Sequence, residues 1–378
     1  MRIVHVSDCY PPRMGGIETQ VRDLAAAQAA AGHEVHVLTA TPLDADAATQ
    51  EERAAVGHPA VQVHRMGIAL PFDLPVNPAA PAAMDALFES VRPDVVHVHA
   101  GVISPFAFDG ARVALRREVP LAITWHCMLD GVVSALRTGV RHSRWAGAPI
   151  ALSAVSHAAA ERVVDVFGEQ VDLVPNGADL ARWAPVDPRP APFPVRAVAT
   201  MRLAPRKRGP ALISVIEDAV AQVGSGSLRV DVVGDGPMRG AMERAVQRRG
   251  LADVVTLHGR LERDRLPELY RQAHVFLAPA SLEAFGIAAL EARAAGLVVV
   301  ARRGTGIEEF VTDEVDGLLV DDDAGMVRAV TRLVHEPDLL DRLHSRSRDV
   351  RPLFGWSHTL GAADELYARA RALRGLMR

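Results

Sequence analysis

Residues Ser281–Gly296 read S-L-E-A-F-G-I-A-A-L-E-A-R-A-A-G, between the strand-like Val275–Ala278 and the β-branched run Val298–Val300. Small apolar residues at Ala288, Ala289, Ala292 and Ala295 recur at helical spacing, and Gly296 supplies a helix stop. A helix rich in alanine between β-branched runs packs closely on a sheet, which places the chain in the α/β class. Two carboxylates interrupt the apolar text: Glu283 just before the helix and Glu291 eight residues later, inside it. A carboxylate on such a helix is costly unless donors meet it. Two adjacent hydroxyls, as on a ribose, would satisfy Glu291, and so would a nearby arginine. Glu283 either meets sugar hydroxyls or caps the helix. The amides of Phe285, Gly286 and Ile287 face out of a helix N-terminus, which attracts polar or anionic groups.

Strands alternate with helices on both sides of this stretch. Upstream lie Arg196–Thr200, a loop with Arg202 and Lys207, a helix from about Pro210, Arg229–Val233 and Val254–His258; downstream lie Val298–Ala301 and Gly317–Val320. That order predicts a doubly wound parallel sheet. Gly234, Gly236 and Gly240 follow a strand, but their spacing is G-x-G-x-x-x-G and the next strand ends in His258-Gly259, not in an acid. Both departures argue against a nicotinamide site. The first half repeats the alternation: Arg2–Ser7, a loop with Gly15-Gly16, a helix from about Ile17 to Ala31, Glu34–Thr39, Val95–His99, Leu121–Trp125, Ile150–Val155 and Val171–Val174. His97 and His99 share a face by the two-residue period, and His126 sits at a strand's carboxyl end, where doubly wound sheets bind ligands. Pro71, Pro75, Pro78 and Pro81 predict a long loop. Pro185, Pro188, Pro190, Pro192 and Pro194 predict a semi-rigid linker. The expected organisation is therefore a domain at 1–183, a linker at 184–195, a domain at 196–355 and a closing helix within 356–378.

At 378 residues with 49% hydrophobic side chains, the chain exceeds one ordinary core and suits two domains. A net charge of −4 offers no general attraction to nucleic acid. Lys207 is the single lysine among 42 basic side chains, which marks it as a place where a compact ammonium is wanted. Cys9 and Cys127 cannot make a disulfide framework and read as reduced thiols of a cytosolic protein. The opening M-R-I-V-H-V-S-D reads as a first strand, not a signal peptide, and no apolar run reaches the roughly 18 residues of a membrane span. The expected location is cytoplasmic. Arg137, Arg141 and Arg144 interleave with Leu136 and Val140, a pattern suited to peripheral contact with an anionic inner membrane face. Asp44-Ala45-Asp46 and Asp321-Asp322-Asp323 read as solvated turns, not metal sites.

The segment E-A-F-G-I-A-A-L-E-A-R-A-A-G strongly resembles the donor-site signature of retaining family 4 glycosyltransferases. P-P-R-M-G-G-I-E, T-W-H ending at His126, and V-P-N-G-A-D-L-A-R-W are similar to further segments of that family, so the resemblance spans nearly the whole chain. It implies the GT-B fold, two Rossmann-like domains facing across a cleft, the first for the acceptor and the second for a nucleotide-sugar, with the last helix crossing back. It implies donor binding by Gly15, Gly16, Arg202, Lys207, Gly234, His258, Glu283, Ala284, Phe285, Gly286, Ile287 and Glu291, and catalytic work by His126, Glu283, Arg202 and Lys207. Arg202 and Lys207 would neutralise the leaving diphosphate in place of a metal, so no cofactor is expected. Transfer would retain the anomeric configuration by attack on the face the phosphate leaves, with double displacement through Glu283 as the alternative. The family's G-G-I-P-E segment is T-G-I-E-E here, from Thr305 to Glu309. A UDP-sugar is favoured, GDP-mannose next, with a lipid-linked or inositol-containing hydroxyl as acceptor. The competing functions are a GT-B epimerase and a non-catalytic nucleotide-sugar binder.

Overall fold

The computed structural model describes residues 1–13, 15–42, 59–68, 75–143, 145–185, 187 and 193–376. Two compact units emerge, one formed by Met1–Gly177 with Trp356–Arg378 and the other by Ala178–Gly355.

The first unit is built on β1 (Arg2–Ser7), β2 (Glu34–Thr39), β3 (Val61–Arg65), β4 (Val95–Ala100), β5 (Leu121–Trp125), β6 (Ile150–Ala154) and β7 (Val171–Leu173). They form one sheet in the order β3-β2-β1-β4-β5-β6-β7, with every neighbouring pair parallel. Helices α1 (Gly16–Ala30), α2 (Ala80–Val91), α3 (Pro105–Arg116), α4 (Val133–Arg141) and α5 (His157–Phe167) accompany the sheet. Strands β4, β5 and β6 are buried along their whole lengths, as expected when helices cover both faces of a parallel sheet.

The second unit uses β8 (Val195–Thr200), β9 (Leu228–Val233), β10 (Val255–Gly259), β11 (Val275–Ala278), β12 (Val298–Arg302) and β13 (Gly317–Val320), ordered β10-β9-β8-β11-β12-β13 and again parallel throughout. Its helices are α6 (Gly209–Val223), α7 (Arg239–Arg248), α8 (Leu266–Arg271), α9 (Ile287–Ala294), α10 (Asp323–His335) and α11 (Pro337–Asp349). Leu212, Ile216, Val230, Val298, Met326 and Leu343 are among its core residues. Arg293 on α9 is itself buried and donates to Asp316 (2.8 Å) and to the Ser347 carbonyl on α11 (2.8 Å). This buried ion pair fixes the helix that carries Glu291, and breaking one partner of such a pair costs about 3–5 kcal/mol.

The closing helix α12 (Trp356–Gly375) packs Ala363, Leu366, Tyr367 and Ala370 against Ile3, Val95, Ala122 and Ala151 of the first sheet. Each sheet has the strand order that reverses at its first strand, so the carboxyl ends of β1 and β4, and of β8 and β11, flank a ligand-accepting crevice.

Three sequence expectations are corrected. Residues 61–65 form the edge strand β3, and Ala80–Val91 forms α2 where prolines suggested a loop. Pro81 lies in the first turn of α2, where a missing N–H breaks no helical bond. Pro71 lies outside the described residues. The unit boundary falls at Gly177, not 183, because Trp183 packs at a tilt against Tyr270 (ring centroids 5.2 Å apart) and Asp187 pairs with Arg348 (2.8 Å), both in the second unit. Most of the proline-rich stretch, including Pro188, Pro190 and Pro192, lies outside the described residues, as do Asp44, Asp46 and Arg144. Finally, of the run Asp321–Asp323 expected as a solvated turn, Asp321 and Asp322 are exposed and outside the helix, but Asp323 opens α10. Asp322 caps α10 by accepting from the Gly325 amide (2.6 Å), and Asp323 takes Arg208 (2.6 Å) and Arg302 (2.7 Å).

Candidate active site

In the second unit, β8 ends at Thr200 and the chain passes Arg202 into a short 3₁₀ turn, Pro205–Lys207, before α6 begins. That loop is held by backbone contact with the β9 loop. Leu203 donates to the Asp235 carbonyl (2.8 Å) and Met238 to the Leu203 carbonyl (2.9 Å). Gly234 has φ +135, and a Cβ there would lie 1.8 Å from the Met201 carbonyl oxygen. Glycine at 234 is therefore required for two backbones to approach, which gives it a role in holding the Arg202–Lys207 loop. Arg202 is exposed on this loop.

Lys207 reaches Glu283 and forms an ion pair with it, both side chains remaining 20% exposed. Two of the sequence-predicted residues, 76 positions apart, are thus in direct contact. Helix α9 is preceded by Gly286, which caps it without any side-chain bond, so Glu283 does not serve as the cap. Gly286 has φ +89, and a Cβ would meet Ile307 at 2.8 Å. The Thr305–Glu309 segment seats against this entry: the Gly306 amide donates to the Glu283 carbonyl (2.8 Å), and a Cβ on Gly306 would fall 2.0 Å from the Ala284 carbonyl oxygen. Its departure from the family text therefore sits on the backbone that aims Glu283. The side chains of Ala284 and Phe285 are buried, and Phe285 packs with Phe310 (5.5 Å) and Phe354 (5.6 Å). What this turn can offer a ligand is its backbone.

Glu291 lies one helical turn into α9 with its side chain only 7% exposed, and Arg263 donates to it at 3.0 Å. The arginine partner considered from the sequence is thus present. Burial, with a smaller contribution from Glu291, pushes the Tyr270 hydroxyl up, and Tyr270 donates to Thr200 at the end of β8 (3.0 Å). His258 is exposed and bonds Asp231 across β9 and β10 at 2.6 Å.

In the first unit, Gly15 precedes α1, and a Cβ there would lie 2.3 Å from a Glu18 carboxylate oxygen. The buried Glu18 folds back over the turn and faces Arg13 at 3.6 Å. The Gly15-Gly16 turn and His126 both lie at the carboxyl ends of strands, after β1 and β5. His126 is half-buried, and its Nε2 meets His99 Nδ1 at 2.9 Å. Burial pushes its pKa down to about 4, partly opposed by Asn176, so the ring is neutral at pH 7. Asp8, just past β1, accepts from the Phe106 amide at the start of α3 (3.0 Å), and burial raises its pKa to about 6. Asp8, Glu18, Arg263 and Asn176 escaped the sequence reading. Glu18, Asp8 and Asn176 stand in the quoted P-P-R-M-G-G-I-E, M-R-I-V-H-V-S-D and V-P-N-G-A-D-L-A-R-W, but their partners come from long-range packing, as does the place of Arg263.

Two family descriptions match the chain: "Glycosyltransferase Family 4" over residues 14–182 and "Glycosyl transferases group 1" over residues 196–350. A D-inositol 3-phosphate glycosyltransferase of Xylanimonas cellulosilytica is 29% identical over 99% of this chain and 97% of its own. Among solved structures, sucrose-phosphate synthase from Thermosynechococcus elongatus superposes with a TM-score of 0.76 at 22% identity, over 98% of this chain and 100% of that one. The Anabaena protein HepE, solved with UDP and glucose, gives a TM-score of 0.74 at 18% identity over 97% and 99% of the two chains.

Proposed function

Since the chain belongs to the family 4, group 1 glycosyltransferases of the GT-B fold, we propose that it moves a sugar from a UDP-sugar to a hydroxyl group with retention of configuration and without a metal. The observation that carries this reading is the Lys207–Glu283 ion pair at the entry to α9, with Arg202 on the same loop. As the bond from the anomeric carbon to the diphosphate breaks, negative charge grows on the phosphate oxygens. Lys207 exchanges Glu283 for those oxygens, Arg202 adds a forked grip, and Glu283 is released to orient the sugar hydroxyls. The acceptor oxygen bonds the carbon from the same face, and its proton passes to a phosphate oxygen. His126, held neutral, positions the transferred sugar. Glu291 takes the ribose hydroxyls beside Arg263.

UDP is favoured over the guanine nucleotide by the similarity to HepE, which was solved with UDP. The name of the Xylanimonas relative supports an inositol phosphate or a related lipid-borne polyol as acceptor. Incubation with UDP-N-acetylglucosamine, UDP-glucose and GDP-mannose, with thermal shift and free nucleotide both followed, tests the reading. Stabilisation by a UDP-sugar with slow release of UDP is expected, since a ligand at 100 times its Kd adds about 2.7 kcal/mol. Interconversion of the sugar without release would point to an epimerase, and binding without either to a sensor. EDTA in the same assay is expected to leave the rate unchanged; loss restored by manganese would remove Arg202 and Lys207 from the role assigned to them.

No helix of the described residues is long and apolar enough to cross a membrane. We place the enzyme in the cytoplasm with its first unit against the inner membrane face. Helix α4 has no buried residue, and Leu136 and Val140 lie half-exposed beside Arg137 and Arg141. Sedimentation with anionic liposomes at low salt is expected, and replacement of both arginines by Gln should abolish it. Absence of sedimentation at low salt would favour a soluble acceptor.

A further inference from the structure

Behind His126 the first unit contains a chain of buried side chains that the proposed transfer does not use. His126 Nε2 meets His99 Nδ1 at 2.9 Å, His99 Nε2 meets His5 Nδ1 at 2.9 Å, and His5 Nε2 meets Gln28 Oε1 at 2.6 Å. The Gln28 amide nitrogen then donates to the Tyr367 hydroxyl on α12 (2.9 Å). At the other end, Asn176 lies close enough to raise the His126 pKa, yet its Oδ1 and Nδ1 of His126 are both buried without a formed hydrogen bond.

A proton count explains the two orphan atoms. Each neutral imidazole has one N–H and one lone pair, so it donates once and accepts once. Four junctions join Asn176, three imidazoles and Gln28, but with a carbonyl oxygen at each end the three rings supply only three protons. The count closes when one amide turns its NH₂ inward. If Asn176 turns, all three rings carry the proton on Nε2; if Gln28 turns, all three carry it on Nδ1. The direction is shared, because a ring that disagreed with its neighbour would set two lone pairs or two N–H groups face to face.

We propose that Asn176 and Gln28 are positioning residues that act through His5 and His99 to decide which nitrogen of His126 carries its proton, and so whether His126 accepts or donates at its Nδ1. The proposal deepens the transferase reading, on which the use of His126 depends. Nitrogens of His5, His97 and His99 also lie within 4.8 Å of one another, as in a metal site. His97 Nδ1 and Nε2 are engaged by Tyr367 (2.9 Å) and Thr124 (2.7 Å), which favours the hydrogen-bonded chain.

The test is the tautomer of each ring in ligand-free protein labelled with ¹⁵N-histidine. Gln28→Glu, which can only accept from His5, and Asn176→Leu, which can no longer receive from His126, are expected to place all three protons on Nε2. Asn176→Asp, an acceptor only, is expected to reverse the major tautomer to Nδ1–H at His126, His99 and His5 alike, although two rings stand between His5 and position 176. Thermal unfolding accompanies each variant. If Gln28→Glu does not fold, the two Asn176 variants carry the comparison by themselves. A change confined to the histidine beside the substitution overturns the relay, and so does stoichiometric zinc in the purified wild-type protein. Release of UDP from UDP-N-acetylglucosamine by His126→Ala reports separately on the transferase reading, because the tautomers are measured without substrate.

Discussion

Acidification from pH 7 to pH 5 is expected to unfold the first unit before the second. Burial pushes the pKa values of His5 and His126 down to about 4 and those of His97 and His99 well below the ordinary histidine value. A base whose pKa is lower in the folded state than in the unfolded chain contributes stability above its unfolded pKa, here 6.5. That stability is lost as pH falls toward the folded value, because the unfolded chain binds more protons. At pH 5 His5 and His126 together cost roughly 4 kcal/mol, and His97 and His99 act in the same direction, against a total domain stability of about 5–15 kcal/mol. Asp8 acts with the opposite sign. Its pKa is raised to about 6, so acid stabilises the fold through it, by about 1 kcal/mol over the same interval. One carboxylate does not offset four imidazoles. Hydrogen exchange read by mass spectrometry should show β1, β4 and β5 losing protection between pH 6.5 and 5 while β8, β11 and β12 keep theirs. Equal loss in both units, or none in the first, would sink the account.

Lys207→Ala is expected to lower turnover of the UDP-sugar by a factor on the order of 100, which corresponds to about 3 kcal/mol of lost charge stabilisation in the transition state. The fold should persist, because Lys207 and Glu283 both keep contact with solvent, so water can solvate the carboxylate that Lys207→Ala leaves behind. The loss belongs in kcat, since charge on the diphosphate grows only as the bond breaks. Lys207→Arg should recover part of the rate, because a planar fork does not reproduce a compact ammonium at the same point. Glu283→Gln keeps a partner for the sugar hydroxyls but releases Lys207. It should cost less than Lys207→Ala, and the double variant should show non-additivity, as directly paired residues do. Normal turnover in Lys207→Ala would refute the assignment.

The alternation of β-branched runs with helical spacing made both parallel sheets legible in the sequence, since strands buried on both faces must be apolar throughout. Lys207 and Glu283 were legible too, one as a singular lysine and the other through its motif. Their contact was not, because it depends on how the loop after β8 meets the turn before α9. Strand β3 escaped because only Val61 and Val63 carry its pattern. Helix α2 was hidden by prolines whose meaning depends on whether they fall before or inside a first turn. The histidine chain was half visible: the period of two places His97 and His99 on one face, but His5, Gln28, Asn176 and Tyr367 join them only through register and packing across β1, β4, α1 and α12.

The return of α12 to the first sheet has a consequence for the order in which a ribosome can deliver this fold. The second unit is an insertion whose ends meet, since the Ala178 amide donates to the Phe354 carbonyl at 3.0 Å and Gly177 lies against Trp356. The unit begun first is therefore completed second. Until residues beyond 356 emerge, Ile3, Val95, Ala122 and Ala151 lack the helix that covers them, and Gln28 and His97 lack the Tyr367 hydroxyl. Throughout synthesis of the inserted unit, the nascent chain must carry an open apolar sheet face, the condition under which folding proteins come to depend on chaperones.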